Sequence, residues 1–127
     1  MILKRSCIFA ILLGLVWLAG SAQAETFSIT LVTPPLVAEG DSQLQCHLVN
    51  VSGEERSAVI EVLAQDGTEL ITDGGTLDPG EAAVVTVPAS ASPRYCKFIV
   101  EGFRVDFRGS IAVRVPGFGS LGALLAY

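Results

Sequence analysis

The stretch "SPRYCKFIV" (92–100) sets Cys96, Phe98 and Val100 at alternate positions, with Lys97 between them. Earlier in the chain, "QLQCHLVN" (43–50) does the same with Leu44, Cys46 and Leu48 against Gln43, Gln45 and His47. Successive residues of a strand point to opposite faces, so each cysteine is expected on the apolar face of a strand. A thiol nucleophile needs a basic neighbourhood and a partner histidine. His47 follows Cys46 directly and would therefore point away from it. The pair Cys46 and Cys96 reads instead as a structural disulfide.

The remaining cysteine, Cys7, lies in a different kind of segment. Lys4 and Arg5 precede the apolar run "IFAILLGLVWLAG", which ends in "SAQA" with Ala22 and Ala24 in the A-x-A position. A basic start, an apolar centre and a small-residue end are the marks of a secretory signal peptide. A spanning helix asks for about 20 predominantly apolar residues, so no stable membrane insertion is expected after cleavage. The expected division is a signal peptide over 1–24, a domain over 25–116 and an apolar, glycine-rich tail over 117–127. Cleavage discards Cys7 and leaves an even pair of cysteines in an oxidising compartment. A crosslink closing a loop of this length contributes roughly 4 kcal/mol in the chain-entropy picture.

Charge narrows the partners. The full chain carries a formal net charge of −5, and loss of Lys4 and Arg5 makes the body more acidic still. Phosphate backbones and anionic headgroups repel such a surface, so nucleic acid is not an expected partner.

Hydrophobic periodicity is close to two throughout, with no stretch of helical repeat. Strands are expected at 26–32, 43–50, 57–65, 68–72, 82–89, 95–102 and 103–115. Pro34-Pro35 stops the first. Asp66-Gly67 suits a hairpin turn, and Pro79-Gly80 suits a type II turn. In "FRVDFRGSIAVRV" (103–115) the odd positions are apolar except Gly109, which reads as a bulge or bend, with a hairpin at 108–110 as the alternative. About seven short strands with turn signals between them make an all-β chain, an antiparallel β-sandwich.

The cysteines fall on the second and second-to-last of these strands, an arrangement that resembles the immunoglobulin-like sandwich. The chain departs from that family in having no tryptophan to pack on the bridge and in placing Tyr95 next to Cys96. More narrowly, "CHLVNVS", "DGTEL", "LDPGE" and "YCKFIVEG…FRGSIAV" resemble small secreted bacterial proteins. That resemblance implies a fold and an address, periplasmic or extracellular, and supplies no activity.

Motifs of chemistry are sparse. His47 is the single histidine, on the polar side of its strand, and metal sites ask for three or four donors at suitable spacing. No metal or other cofactor is expected. Asp66, Asp73 and Asp78 read as turn residues bonding their own backbone, and Glu54-Glu55 as a solvated turn. "NVS" (50–52) matches a glycosylation sequon. Arg104, Arg108 and Arg114 share one parity of the last expected strand and form a candidate basic stripe for a protein or surface partner. The apolar tail reads as a loosely ordered terminus, or as a strand donated to a partner's sheet edge.

The expected function is therefore an exported, non-enzymatic protein with a binding or structural role. A subunit of a surface fibre or adhesive assembly is the first alternative, and a small-ligand or metal carrier is the second.

Overall fold

The structure is a computed structural model that describes residues 27–117 and 119–127, with the backbone alone at 120–122. The expected signal peptide lies outside these residues. The described chain is all-β: seven strands in antiparallel pairs form one hydrogen-bonded sheet, with a single short 3-10 turn. The strands are β1 (Ser28–Val32), β2 (Leu36–Asn50), β3 (Arg56–Ala64), β4 (Glu69–Leu77), β5 (Ala82–Glu101), β6 (Phe107–Val115) and β7 (Gly119–Leu125). Their order is β4-β3-β5-β2-β6-β7, and β1 pairs with β5.

β5 organises the rest. Its first part pairs with β2, from Ala82 opposite Val49 to Pro88 opposite Gln43. Its last part pairs with β3, from Arg94 opposite Ala64 to Val100 opposite Ala58, and with β1 on the other side. The sequence suggested two strands here, 82–89 and 95–102, because Pro88 and Pro93 lack the amide that a ladder needs. The strand runs on because its first half is paired by β2 alone, leaving one side where a missing donor costs nothing. Cys96 therefore sits on the fifth of seven strands rather than on the second-to-last.

The alternating positions enter the interior as their pattern dictates. Leu44, Cys46, Leu48, Val62, Val87, Cys96, Phe98, Val100, Phe107 and Ile111 are all at most 2% exposed and belong to one apolar cluster. On the wet side, Glu61 stands opposite Lys97 and the two form an ion pair at 3.0 Å. The turns follow their chemistry too. Gly67 has φ 88° and Gly80 φ 80°, the left-handed values these turns require, and the Glu81 amide donates to the Asp78 carbonyl at 2.9 Å.

Three expectations near the C-terminal end are corrected. Residues 103–106 are not strand: Arg104–Asp106 form a 3-10 turn, and Phe103 and Val105 are 63% and 71% exposed. Asp106 is the cause. Its Oδ2 accepts from the Phe103 amide at 2.9 Å, its own amide donates to the Phe103 carbonyl at 3.0 Å, and its carbonyl accepts from Val51 at 2.8 Å. Gly109 is neither bulge nor hairpin, for it pairs in unbroken register with Leu48. A Cβ there would stand 2.8 Å from the Phe98 ring, so the glycine is the space into which that ring fits.

The tail is not loose. β7 pairs with β6, the Ala126 amide donates to the Gly109 carbonyl at 2.9 Å, and Val32 and Tyr127 exchange backbone hydrogen bonds of 3.0 and 3.1 Å. An apolar, uncharged segment finds its partner in the chain's own sheet.

Overpacking a filled core costs typically 1–3 kcal/mol. Gly109→Ala is therefore expected to lose about 2 kcal/mol in urea denaturation followed by circular dichroism, whereas Gly40→Ala, far from any neighbour, loses only what its positive φ demands, about 1 kcal/mol.

Candidate functional site

Cys46 and Cys96 are joined by a disulfide, with Cα atoms 5.8 Å apart and both residues 0% exposed. The two residues share no ladder position: Cys46 lies opposite Val85 and Ile111, and Cys96 opposite Val62. The Cys96 backbone is held as well. Its amide donates to the buried Thr33 Oγ1 at 2.9 Å, and its carbonyl accepts from the Thr33 amide at 3.0 Å. Sealed from solvent and without a free thiolate, this pair is a structural crosslink rather than a reactive centre.

The three candidate arginines are only partly brought together. Arg104 leaves the strand for the 3-10 turn, and its guanidinium carbon lies 5.7 Å from the centre of the Tyr127 ring, within reach of a cation–π contact. Arg104 and Arg108 line one cleft of about 160 Å³ with Leu31, Phe107, Leu125 and Tyr127. Arg108 also donates to the Phe107 carbonyl at 2.9 Å. Arg114, six residues along β6 and so roughly 20 Å away, lines a separate hollow with Gln43 and Pro116. Among the described residues, the ion pairs involve Arg56 and Lys97 instead.

His47 is partly buried. Its Nε2 lies 3.2 Å from Gln45 Oε1, and burial lowers its pKa below the usual histidine value of 6.5. Among the described residues, no group of three or more His, Cys, Asp or Glu could hold a metal, and no helix is long and apolar enough to cross a membrane. Asp66 behaves as its turn predicts: the Thr68 amide donates to its Oδ1 at 2.9 Å and holds the carboxyl below its ordinary value. At the next turn the roles are exchanged. Glu81, not Asp78, supplies the carboxylate, which accepts from the Asp78 amide at 2.7 Å. Asp73 lies within β4, because that strand continues through Gly74 and Gly75 to Leu77. Glu54 pairs with Arg56 at 3.3 Å while Glu55 is exposed.

The sequon gave no sign of the structural role of Asn50. Asn50 is 0% exposed. Its Nδ2 donates to the carbonyls of Glu54 (2.7 Å) and Leu77 (2.9 Å), and its Oδ1 accepts from Ser52 N (3.0 Å) and Ser52 Oγ (2.7 Å). The sequon "NVS" is thus a buried loop anchor. Both amide hydrogens are committed, so the folded protein offers no nitrogen for a glycan.

No family model and no curated protein matches the chain. A solved structure does: the crystal structure of Thermotoga maritima 1070 superposes with a TM-score of 0.54 at 13% identity, over 77% of this chain and 91% of that one. The likeness is one of fold.

Two outcomes follow for solution work. Asn50→Ala removes four bonds around a buried site, and at about 1 kcal/mol net for each it is expected to lower stability by about 4 kcal/mol in chemical denaturation. His47 binds its proton less readily folded than unfolded, so the stability it leaves intact above pH 6.5 declines as pH falls below that value. In His47→Gln that part of the slope between pH 7.5 and pH 5 is expected to vanish.

Proposed function

We propose that this chain is an exported, crosslinked β-sandwich of immunoglobulin-like topology that works by binding or as a structural element rather than by catalysis. The observation that carries the reading is the buried Cys46–Cys96 bridge. A crosslink so placed forms and persists in an oxidising compartment, which agrees with the leader-like residues 1–24 and an address in the periplasm or outside the cell. The split pairing of β5 supports the sandwich. Its first half belongs with β2 and its second with β1 and β3, so a turn of the sheet between them gives two faces for the bridge to join. The apolar cluster that unites all these strands is what two such faces would share.

A binding role draws support from the surface. Phe27 and Phe103, each 63% exposed, stack with ring centres 6.4 Å apart, and Val105, two residues further along the chain, is 71% exposed. Large apolar side chains gathered at one end of a soluble domain mark contact surfaces more often than scattered ones do. The cleft holding Arg104 and Arg108 adds a place for a partner's carboxylates. A subunit of a surface fibre or adhesive assembly is the second reading, favoured by the outer edge of β4, which is unpaired among the described residues; β7, engaged in the chain's own sheet, is not the donor strand.

Intact-mass measurement on exported material is expected to find a chain beginning at Glu25, lighter by two hydrogens than its reduced form. Replacing both cysteines with alanine should lower stability by about 4 kcal/mol, read from urea midpoints. Free thiols in the exported protein would overturn the reading.

A further inference from the structure

β4 stands at the end of the hydrogen-bonded order, so among the described residues only its β3-facing side is paired. The register fixes which residues face inward: Gly75 lies opposite Ala58 and Asp73 opposite Ile60, and both partners are buried. Because Gly75 brings no side chain to that layer, a crevice of about 180 Å³ remains beside the strand. It is lined by Ala58, Ile60, Asp73, Gly75, Leu77 and Ala83. Ala58, Ile60 and Leu77, each at most 7% exposed, belong to the apolar core. An opening onto core residues therefore lies alongside a row of free backbone amides and carbonyls.

Sheet edges are ordinarily guarded by lysine, proline or a covering loop. β4 holds neither lysine nor proline, and its two charges, Glu69 and Asp73, are both acidic. Asp73 is exposed at the mouth of the crevice and has no cation within ion-pair distance among the described residues. Shape asks for an aliphatic side chain carried by an extended backbone. Charge asks for a basic residue two positions along the same face, and the net charge of −5 favours a cationic segment overall.

We propose that the free edge of β4 accepts an extended, positively charged peptide segment of a partner protein as an added strand. Its aliphatic side chain opposite Gly75 fills the crevice, and its lysine or arginine opposite Asp73 pairs with that carboxylate. Backbone pairing supplies affinity and the two side chains supply selectivity. The inference rests on the binding reading above and names its surface and partner chemistry.

The test uses the crosslinked, exported protein, labelled with 15N, and two synthetic nonapeptides. One is Val-Thr-Ile-Thr-Lys-Thr-Val-Thr-Lys, blocked at both ends; the other has glutamate for both lysines. Amide shifts are expected along β4 and at Ala58 and Ala83, with the lysine peptide bound about tenfold more tightly. Asp73→Lys should reverse that preference. Gly75→Val, whose new Cβ meets nothing within 4 Å, should fold normally and weaken both peptides about tenfold by filling the crevice. Shifts away from β4, silence at millimolar peptide, or indifference to both substitutions would overturn the proposal. So would a peptide-free dimer whose interface maps to β4, which would make the occupant a second copy. Intact mass and oxidation state, measured on the same sample, separate a failure of this edge from a failure of the exported, crosslinked scaffold.

Discussion

Cys46 and Cys96 tie together two positions that face each other on no ladder, and most of the interior is arranged around that tie. Leu44 and Leu48 flank one sulfur along β2; Phe98 and Val100 follow the other along β5. A domain of this size is stable by only about 5–15 kcal/mol, so a crosslink of roughly 4 kcal/mol is a large share of what holds it closed. The bridge also fixes a distance. With the Cα atoms held at 5.8 Å, the side chains between β2 and the far half of β5 must fit a set gap. In the same interior the Phe98 ring lies where a side chain on Gly109 would be.

The face of each strand was legible in the sequence because period two is a local property. Leu44, Cys46, Leu48, Cys96, Phe98 and Val100 all lie inside, while Glu61 and Lys97 meet outside. Turn chemistry was legible for the same reason at Asp66-Gly67 and Pro79-Gly80. What could not be read depended on partners far along the chain. Pro88 and Pro93 look like breaks until one sees that β2 alone pairs with that half of β5. Asp73 looks like a turn residue until β3 is laid beside it. Phe103 and Val105 keep the strand pattern, yet Asp106 takes the local bonds and bends the chain. The candidate arginines were found as residues but not as a stripe, because Arg104 belongs to that bend.

A second point of organisation is polar. Asn50 ties the 52–54 loop to the end of β4, and Arg56 reaches both Glu54 at 3.3 Å and Asp106 at 3.7 Å. These contacts gather three connections at one end of the molecule. The exposed Phe27–Phe103 stack is built on the same end, where the Gly102 amide donates to the Phe27 carbonyl at 2.7 Å. Flexible loops would spend conformational entropy to present such rings; here a buried amide and an ion-pair network hold the backbone that carries them.

The clasp between Tyr127 and Val32 has a bearing on when the fold can form. It joins positions about 95 residues apart, and contacts that distant in sequence come late and slowly. A ribosome adds its residues from the other end, so β1 waits for this neighbour until residues 126 and 127 have emerged. Until then the nascent chain lacks its closing bonds.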